Sequence, residues 1–177
     1  AFHHPLRSYG PHGGYFTWKQ HLFPLTDAIK DLYIPLPIIG SAYPLTRAVF
    51  GTAQDLKHPL YQDMIRQVEA VVKQHPNVVF LSGHEHTMQL IKDSGFNYIV
   101  SGSGSKNSRV SKGRNSLYAS SENGFVTLQV SKNKNVQAEF YQVNGDSVKI
   151  DFSTKLLNFS ELPEEITDTL RIVEYTF

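Results

Sequence analysis

The chain's apolar residues group into short runs whose spacing separates strand from helix. Val78-Val79-Phe80-Leu81 is a continuous apolar stretch and reads as a buried strand that ends in the polar turn Ser82-Gly83-His84-Glu85-His86. Met88-Gln89-Leu90-Ile91 and Phe96-Asn97-Tyr98-Ile99-Val100 follow as two strands around the turn Lys92-Asp93-Ser94-Gly95. Residues 124–130 and 136–143 alternate apolar and polar positions across the polar linker Ser131-Lys132-Asn133-Lys134-Asn135, predicting a surface hairpin. A weaker alternation in Val148, Ile150 and Phe152 comes next, and another such run spans residues 170–175. The helical spacing is clearest over residues 59–74. Pro59 lies in the first turn and Leu60, Met64, Val68, Val71 and Val72 form an apolar stripe that should pack on the sheet, with Asp63, Arg66, Glu69 and Lys73 largely opposite.

Ala1-Phe2-His3-His4-Pro5-Leu6 looks like the end of a buried strand. Pro5 forces the exit, and strand alternation should turn His3 and His4 to different sides. Ser8-Tyr9-Gly10-Pro11-His12-Gly13-Gly14 is a loop by composition and presents His12. Residues 15–54 change character: Trp18, Leu22, Phe23, Leu25, Ile29, Leu32 and Tyr33 give a broken helical spacing, and Ile34-Pro35-Leu36-Pro37-Ile38-Ile39-Gly40 is apolar but proline-interrupted, too short to cross a membrane. This region reads as a folded insertion over its own small core, or as an apolar patch for a protein partner or a membrane-proximal contact. Residues 106–116 form a polar, basic loop. The order of a strand, an inserted region, a helix and then mostly strands predicts an α/β sandwich whose sheet continues into antiparallel hairpins.

Composition narrows the chemistry. At 177 residues and 40% hydrophobic content the chain has the length of one domain with a proper core. Lys and Arg number 17 against 16 Asp and Glu, a net charge of +1 with the signs interspersed, which gives no basic face for nucleic acid. Cysteine is absent, so disulfides and thiolate metal sites are excluded and His, Asp, Glu, Asn and Tyr remain as ligands. The start on Ala1-Phe2, directly against His3, suggests a piece of a longer protein.

His84 and His86 are two residues apart at a strand end, where α/β proteins place ligands. On a regular strand they would share a face, and imidazole is the commonest ligand for zinc-type ions. A polar turn after a strand is the plain alternative. His58 and His75 flank the helix as surface or capping residues, and Ser101-Gly102-Ser103-Gly104-Ser105 reads as a strand exit rather than a phosphate cradle, since it lacks the lysine and helix start of a P-loop.

His3-His4-Pro5, His12 nine residues after His3, and Gly83-His84-Glu85-His86 followed by Gln89-Leu90, a turn and Tyr98-Ile99-Val100-Ser101-Gly102-Ser103-Gly104 come in an order that resembles the C-terminal half of the calcineurin-like metallophosphoesterases. The likeness is greatest to the purple, tartrate-resistant acid phosphatase branch. The resemblance covers roughly residues 1–14 and 78–145. It implies an α/β fold, part of a four-layer α/β/β/α sandwich with its N-terminal half absent. Residues 1–155 would be the C-terminal half of the domain, 15–58 an insertion and 156–177 a tail or linker.

The implied activity is binuclear metal-dependent hydrolysis of phosphomonoesters or diesters. His3 and His84 would be ligands of one metal, His86 a ligand of the other, and His12 would protonate the leaving group. His4 becomes a supporting residue, and Glu85 has no assigned role. Two transition-metal ions (Fe, Zn or Mn) are implied for the complete domain, with a phosphate ester as substrate and the missing N-terminal half as partner. An extracytoplasmic location, periplasmic, envelope-associated or secreted, goes with that branch. The family's Asp-x-His, Gly-Asp-x-x-Asp and Gly-Asn-His-Asp motifs do not occur here. Histidines without a bridging carboxylate should hold at most one ion well, so the segment alone is expected to be inactive. The rival expectation is a catalytically silent scaffold of the same fold in an envelope-associated assembly, using residues 15–54 as contact surface.

Overall fold

A computed structural model describes residues 1–16, 18–27, 29, 31–36, 40–42, 45, 52–75 and 77–157. The alternating run at 170–175 and parts of the apolar stretch at 34–40 lie outside the described residues.

A first sheet contains β1 (Val79–Ser82), β2 (Met88–Asp93), β3 (Phe96–Ser101) and β4 (Ser116–Ser120) in the order β1-β3-β2-β4. β1 runs parallel to β3 while β2 is antiparallel to both β3 and β4. Phe2 extends this sheet beyond β1 through a parallel bridge to Ser82, its N–H donating to the Leu81 carbonyl at 2.8 Å. A second, antiparallel sheet holds β5 (Gly124–Val130), β6 (Val136–Asn144) and β7 (Ser147–Leu157) in sequence order.

The register explains the layering. The row Phe80, Tyr98 and Ile91 points to one face of the first sheet, and the row Leu81, Ile99, Leu90 and Tyr118 points to the other. The first row packs with Tyr61 and Ile65 of the helix Pro59–Val72, which also brings Val68 and Val72 to the cluster. The second row packs with Ala138 and Phe140 of β6 and with Val126 and Phe152 beside them. Each such fully buried side chain stabilises by about 1.5–3 kcal/mol. Helix, sheet and sheet are thus stacked as three layers, in the expected α/β class.

Several local expectations change. The packed face of the long helix is the stripe of Tyr61, Ile65, Val68 and Val72. Leu60 is 76% exposed and Val71 69%, and Met64 is also exposed. The observed stripe shares Val68 and Val72 with the expected one and differs at Tyr61 and Ile65, each one position, about 100° of helix rotation, from Leu60 and Met64. The Tyr61 hydroxyl favours it by donating to the buried Pro5 carbonyl at 2.8 Å. The helix carries His58 at its N-cap, with no side-chain capping bond. The hairpin of β5 and β6 is no mere surface feature, because Ala138 and Phe140 are fully buried against the first sheet. β4 falls in a stretch read only as loop and its sequel; Tyr118 is its single large buried residue, too little to mark a strand in sequence.

Within residues 15–54 the described backbone forms the short helix Trp18–Leu22 and a 3-10 turn at Pro24–Asp27, with Leu25, Ile29, Tyr33, Ile34 and Leu45 exposed. Among the described residues no helix is long and apolar enough to cross a membrane. Arg7, just past the first histidines, ties the chain down by ion pairs to Glu69 on the helix (2.8 Å) and Asp93 on β2 (2.7 Å).

Candidate metal centre

Two adjacent parallel segments, the one at Phe2 and β1, end side by side, and their next residues carry the histidines. The Gly83 N–H donates to the His3 carbonyl at 3.1 Å, so the two exits stay in step for one more residue. Past Phe2 and Ser82 neither segment continues as strand. His84 takes a left-handed backbone conformation (φ 60°), uncommon for a residue with a Cβ, which reverses the chain and turns its ring toward the neighbouring exit.

The result is a cluster of imidazoles. His84 Nδ1 lies 3.2 Å from His3 Nε2, and the His84 ring sits 4.0 Å from that of His4 and 4.3 Å from that of His12, centroid to centroid. His3 and His4 do not face different ways. Their rings meet edge to face at 4.8 Å, because strand alternation has already ended at Phe2. One donor atom from each of His3, His4 and His84 can be chosen so that all lie within 4.8 Å of one another, the one such group among the described residues.

His86, expected as a ligand of the other metal, is not in that group. The period-two alternation that would have aligned the pair is broken by the reversal at His84, and the backbone carbonyl of His86 accepts from the Ser108 N–H at 2.7 Å. His4, read from sequence as a supporting residue, takes the third place.

The turn bearing His84 is packed from below. The Gly102 N–H donates to the Thr87 carbonyl at 3.0 Å, and a Cβ on Gly102 would fall 2.0 Å from the Glu85 carbonyl oxygen, so only glycine permits this approach. Glu85 is 2% exposed, and its Oε1 accepts from the Ser8 hydroxyl (3.0 Å) and the His12 N–H (2.8 Å). Gln89, fully buried, donates to Ser8 Oγ at 3.1 Å and to Thr87 Oγ1 at 2.8 Å, and accepts from the Tyr9 N–H at 2.8 Å. Glu85 is therefore the residue that fixes the His12 loop to the strand exit.

His12 sits in a 3-10 turn, Pro11–Gly13. Its Nδ1 is 2.8 Å from Oδ1 of Asp55, a carboxylate only 1% exposed, whose Oδ2 accepts from the Thr52 N–H (2.7 Å) and hydroxyl (2.9 Å). The Leu56 N–H donates to the His12 carbonyl at 2.9 Å, so the chain leaves the site at His12 and returns to it at Asp55. Sequence reasoning missed Asp55. Its only local signal was a polar residue between Gln54 and Leu56.

Burial, then the neighbouring rings of His12, His4, His3 and His86, push the His84 imidazole down to about 4; burial, then His3 and His12, lower that of His4. Both rings are therefore neutral near pH 7, the form that binds metals. His84 Nε2 is buried without a hydrogen-bond partner, an orphaned donor or acceptor that a ligand would satisfy. The other ring nitrogen of His84, Nδ1, lies at hydrogen-bond distance, 3.2 Å, from His3 Nε2. The donor set fits one zinc-type ion. No carboxylate belongs to the cluster among the described residues.

No family model and no curated protein matches this chain. Among solved structures it is similar over part of its length to GAP50, the anchor in the inner membrane complex of Plasmodium, with 24% identity and a TM-score of 0.46, covering 56% of this chain and 31% of that one. It is also similar to a double mutant of Vps29 from Entamoeba histolytica, with 18% identity and a TM-score of 0.33, covering 51% of this chain and 46% of that one. The chain thus spans less than half the length of either structure.

Proposed function

We propose that this chain carries the histidine side of a metal-dependent phosphoric ester hydrolase, in which His3, His4 and His84 hold one transition-metal ion and His12 protonates the leaving group. The observation that carries this reading is the cluster of three imidazoles at adjacent strand ends with the buried Nε2 of His84 unpartnered. The resemblance to the calcineurin-like enzymes, and to their purple acid phosphatase branch, supplies the substrate class, a phosphomonoester or diester. It also supplies a second ion, held by His86 and by carboxylates that are not in this cluster.

When bound, such an ion polarises a phosphoryl oxygen and lowers the pKa of its water toward about 7. The chain's own residues do the rest. His84 and His4 stay neutral and so keep their lone pairs for the ion. His12, beside His84, gives a proton to the departing alkoxide, a contribution on the order of 10²–10⁴ in rate. Glu85 keeps His12 at its distance from the cluster through the loop backbone.

A second reading has an observation of its own. Ile29, Tyr33 and Leu45 are each more than half exposed within residues 15–54, which favours a contact surface for a protein partner or membrane-proximal assembly. On that reading the centre is a silent scaffold in an extracytoplasmic, envelope-associated complex.

Hydrolysis of an aryl phosphate and an aryl phosphodiester by the full-length protein, with Zn²⁺, Mn²⁺ or Fe supplied, separates the two. Saturable turnover lost in both His84→Ala and His12→Ala supports the enzyme. Metal binding with no turnover on either ester rejects it and leaves the scaffold.

A further inference from the structure

We infer that Asp55 is the positioning residue for His12: it holds the proton of the neutral ring on Nδ1 and so makes Nε2 the nitrogen that exchanges protons with the substrate. The functional part of this inference rests on the reading of His12 as the proton donor proposed above; the tautomer part does not. The geometry is that of a buried carboxylate fixed on both sides. Oδ1 meets His12 Nδ1 at 2.8 Å, and Oδ2 is held by two donors from Thr52, its N–H at 2.7 Å and its hydroxyl at 2.9 Å. A carboxylate oxygen only accepts, so Nδ1 must be the donor. The Leu56 N–H to His12 carbonyl bond fixes the backbone of the pair as well, leaving the ring little freedom to turn away.

The consequence for catalysis is a matter of which N–H bond breaks. In the imidazolium form both nitrogens carry protons. When the leaving oxygen takes one, the Nε2–H bond breaks, an O–H bond forms, and the ring is left as the Nδ1–H tautomer that Asp55 accepts from. The site then needs no rearrangement to be reprotonated at Nε2. Nε2 lies across the ring from Asp55, and the ring is 4.3 Å from that of His84.

The Thr52 donors make Asp55→Asn an informative change. Both point at Oδ2, so the variant's amide oxygen belongs there and its NH₂ group faces His12. An NH₂ donor on Nδ1 forces the neutral ring into the Nε2–H form, the wrong-tautomer effect known from Asp→Asn changes in serine-protease triads.

The test is a long-range ¹H–¹⁵N correlation spectrum of labelled full-length protein at pH 8, with metal removed, where neutral imidazoles report their tautomer. Nδ1–H for His12 in the wild type and Nε2–H in Asp55→Asn are expected. Nε2–H in the wild type, or an unchanged tautomer in a folded Asp55→Asn, overturns the inference. If that variant does not fold, the wild-type tautomer alone decides.

Two further readouts keep the functional reading separate. Zinc stoichiometry should be the same in both proteins, since Asp55 is outside the cluster. Ester hydrolysis should lose roughly 10²–10⁴ in kcat with KM little changed. A reversed tautomer without zinc binding or turnover in either protein sinks the hydrolase and leaves Asp55 as the residue that sets the ring.

Discussion

Glu85 is a residue whose removal should disconnect the His12 loop from the strand exit, and its cost can be worked from its contacts. In Glu85→Ala the Ser8 hydroxyl and the His12 N–H lose the Oε1 they share, at 3.0 and 2.8 Å. Each orphaned buried donor costs about 1–3 kcal/mol. Ser8 Oγ stays held by Gln89 and by the Gly10 N–H, which keeps the loop from following the truncated side chain into the gap. We expect a loss of about 3–5 kcal/mol, a large part of the 5–15 kcal/mol typical of a domain.

Glu85→Gln is the control. Its amide oxygen can stand where Oε1 stands and accept both donors, so its loss should be well under half of that for alanine. Adding Gly10→Ala should cost less in the Glu85→Ala background than in the wild type, since the truncation vacates the space the new methyl group needs. Urea unfolding followed by near-UV circular dichroism measures all of these. A Glu85→Ala protein within about 1 kcal/mol of wild type, or one no less stable than Glu85→Gln, would refute the reasoning.

The metal-free protein should weaken on acidification. Folding lowers His84 from its ordinary 6.5 to about 4 and lowers His4 as well, so the unfolded chain binds more protons in this window and stability falls as pH drops from about 6.5 to 4. Full burial would make the His84 part about 3 kcal/mol; its partly open ring reduces this to about 1–2 kcal/mol. Denaturant midpoints across that range, compared with His84→Gln, measure it, and a slope no smaller in the variant contradicts it. On the long helix, Ile65→Ala should cost about 2–5 kcal/mol and Leu60→Ala less than about 1, because Ile65 is in the core and Leu60 is in solvent. Equal losses in thermal unfolding would mean that the helix packs by its other stripe.

Much of the fold was legible because its signals are local. Val78 to Leu81 is apolar enough to be a covered strand, residues 124–130 and 136–143 keep the two-residue period, and Pro59 marks where a helix starts. The choice between the stripes of Leu60 and Tyr61 was not local. It is made by a hydrogen bond to Pro5, 56 positions away. At the site, His3, His12 and His84 were identified from their motifs, and the structure brings their rings together. His4 was misplaced by extending strand alternation one residue too far, and His86, expected on the other metal, stands outside the three-histidine group. Glu85 was left without a role, and it lies in the buried network that fixes the His12 loop. Asp55 is 43 positions from the ring it orients, and no periodicity in sequence encodes such a pairing.

The central claim is an ion site made of His3, His4 and His84, and zinc titration by isothermal calorimetry with elemental analysis tests it most directly. The wild-type chain, stripped of metal and run at pH 7.5, should bind about one ion through this cluster; His84→Ala and His4→Ala should each lose it, and His86→Ala should keep it. Zinc binding that survives His84→Ala and His4→Ala but disappears with His86→Ala, or no binding by the wild type at all, would contradict the account.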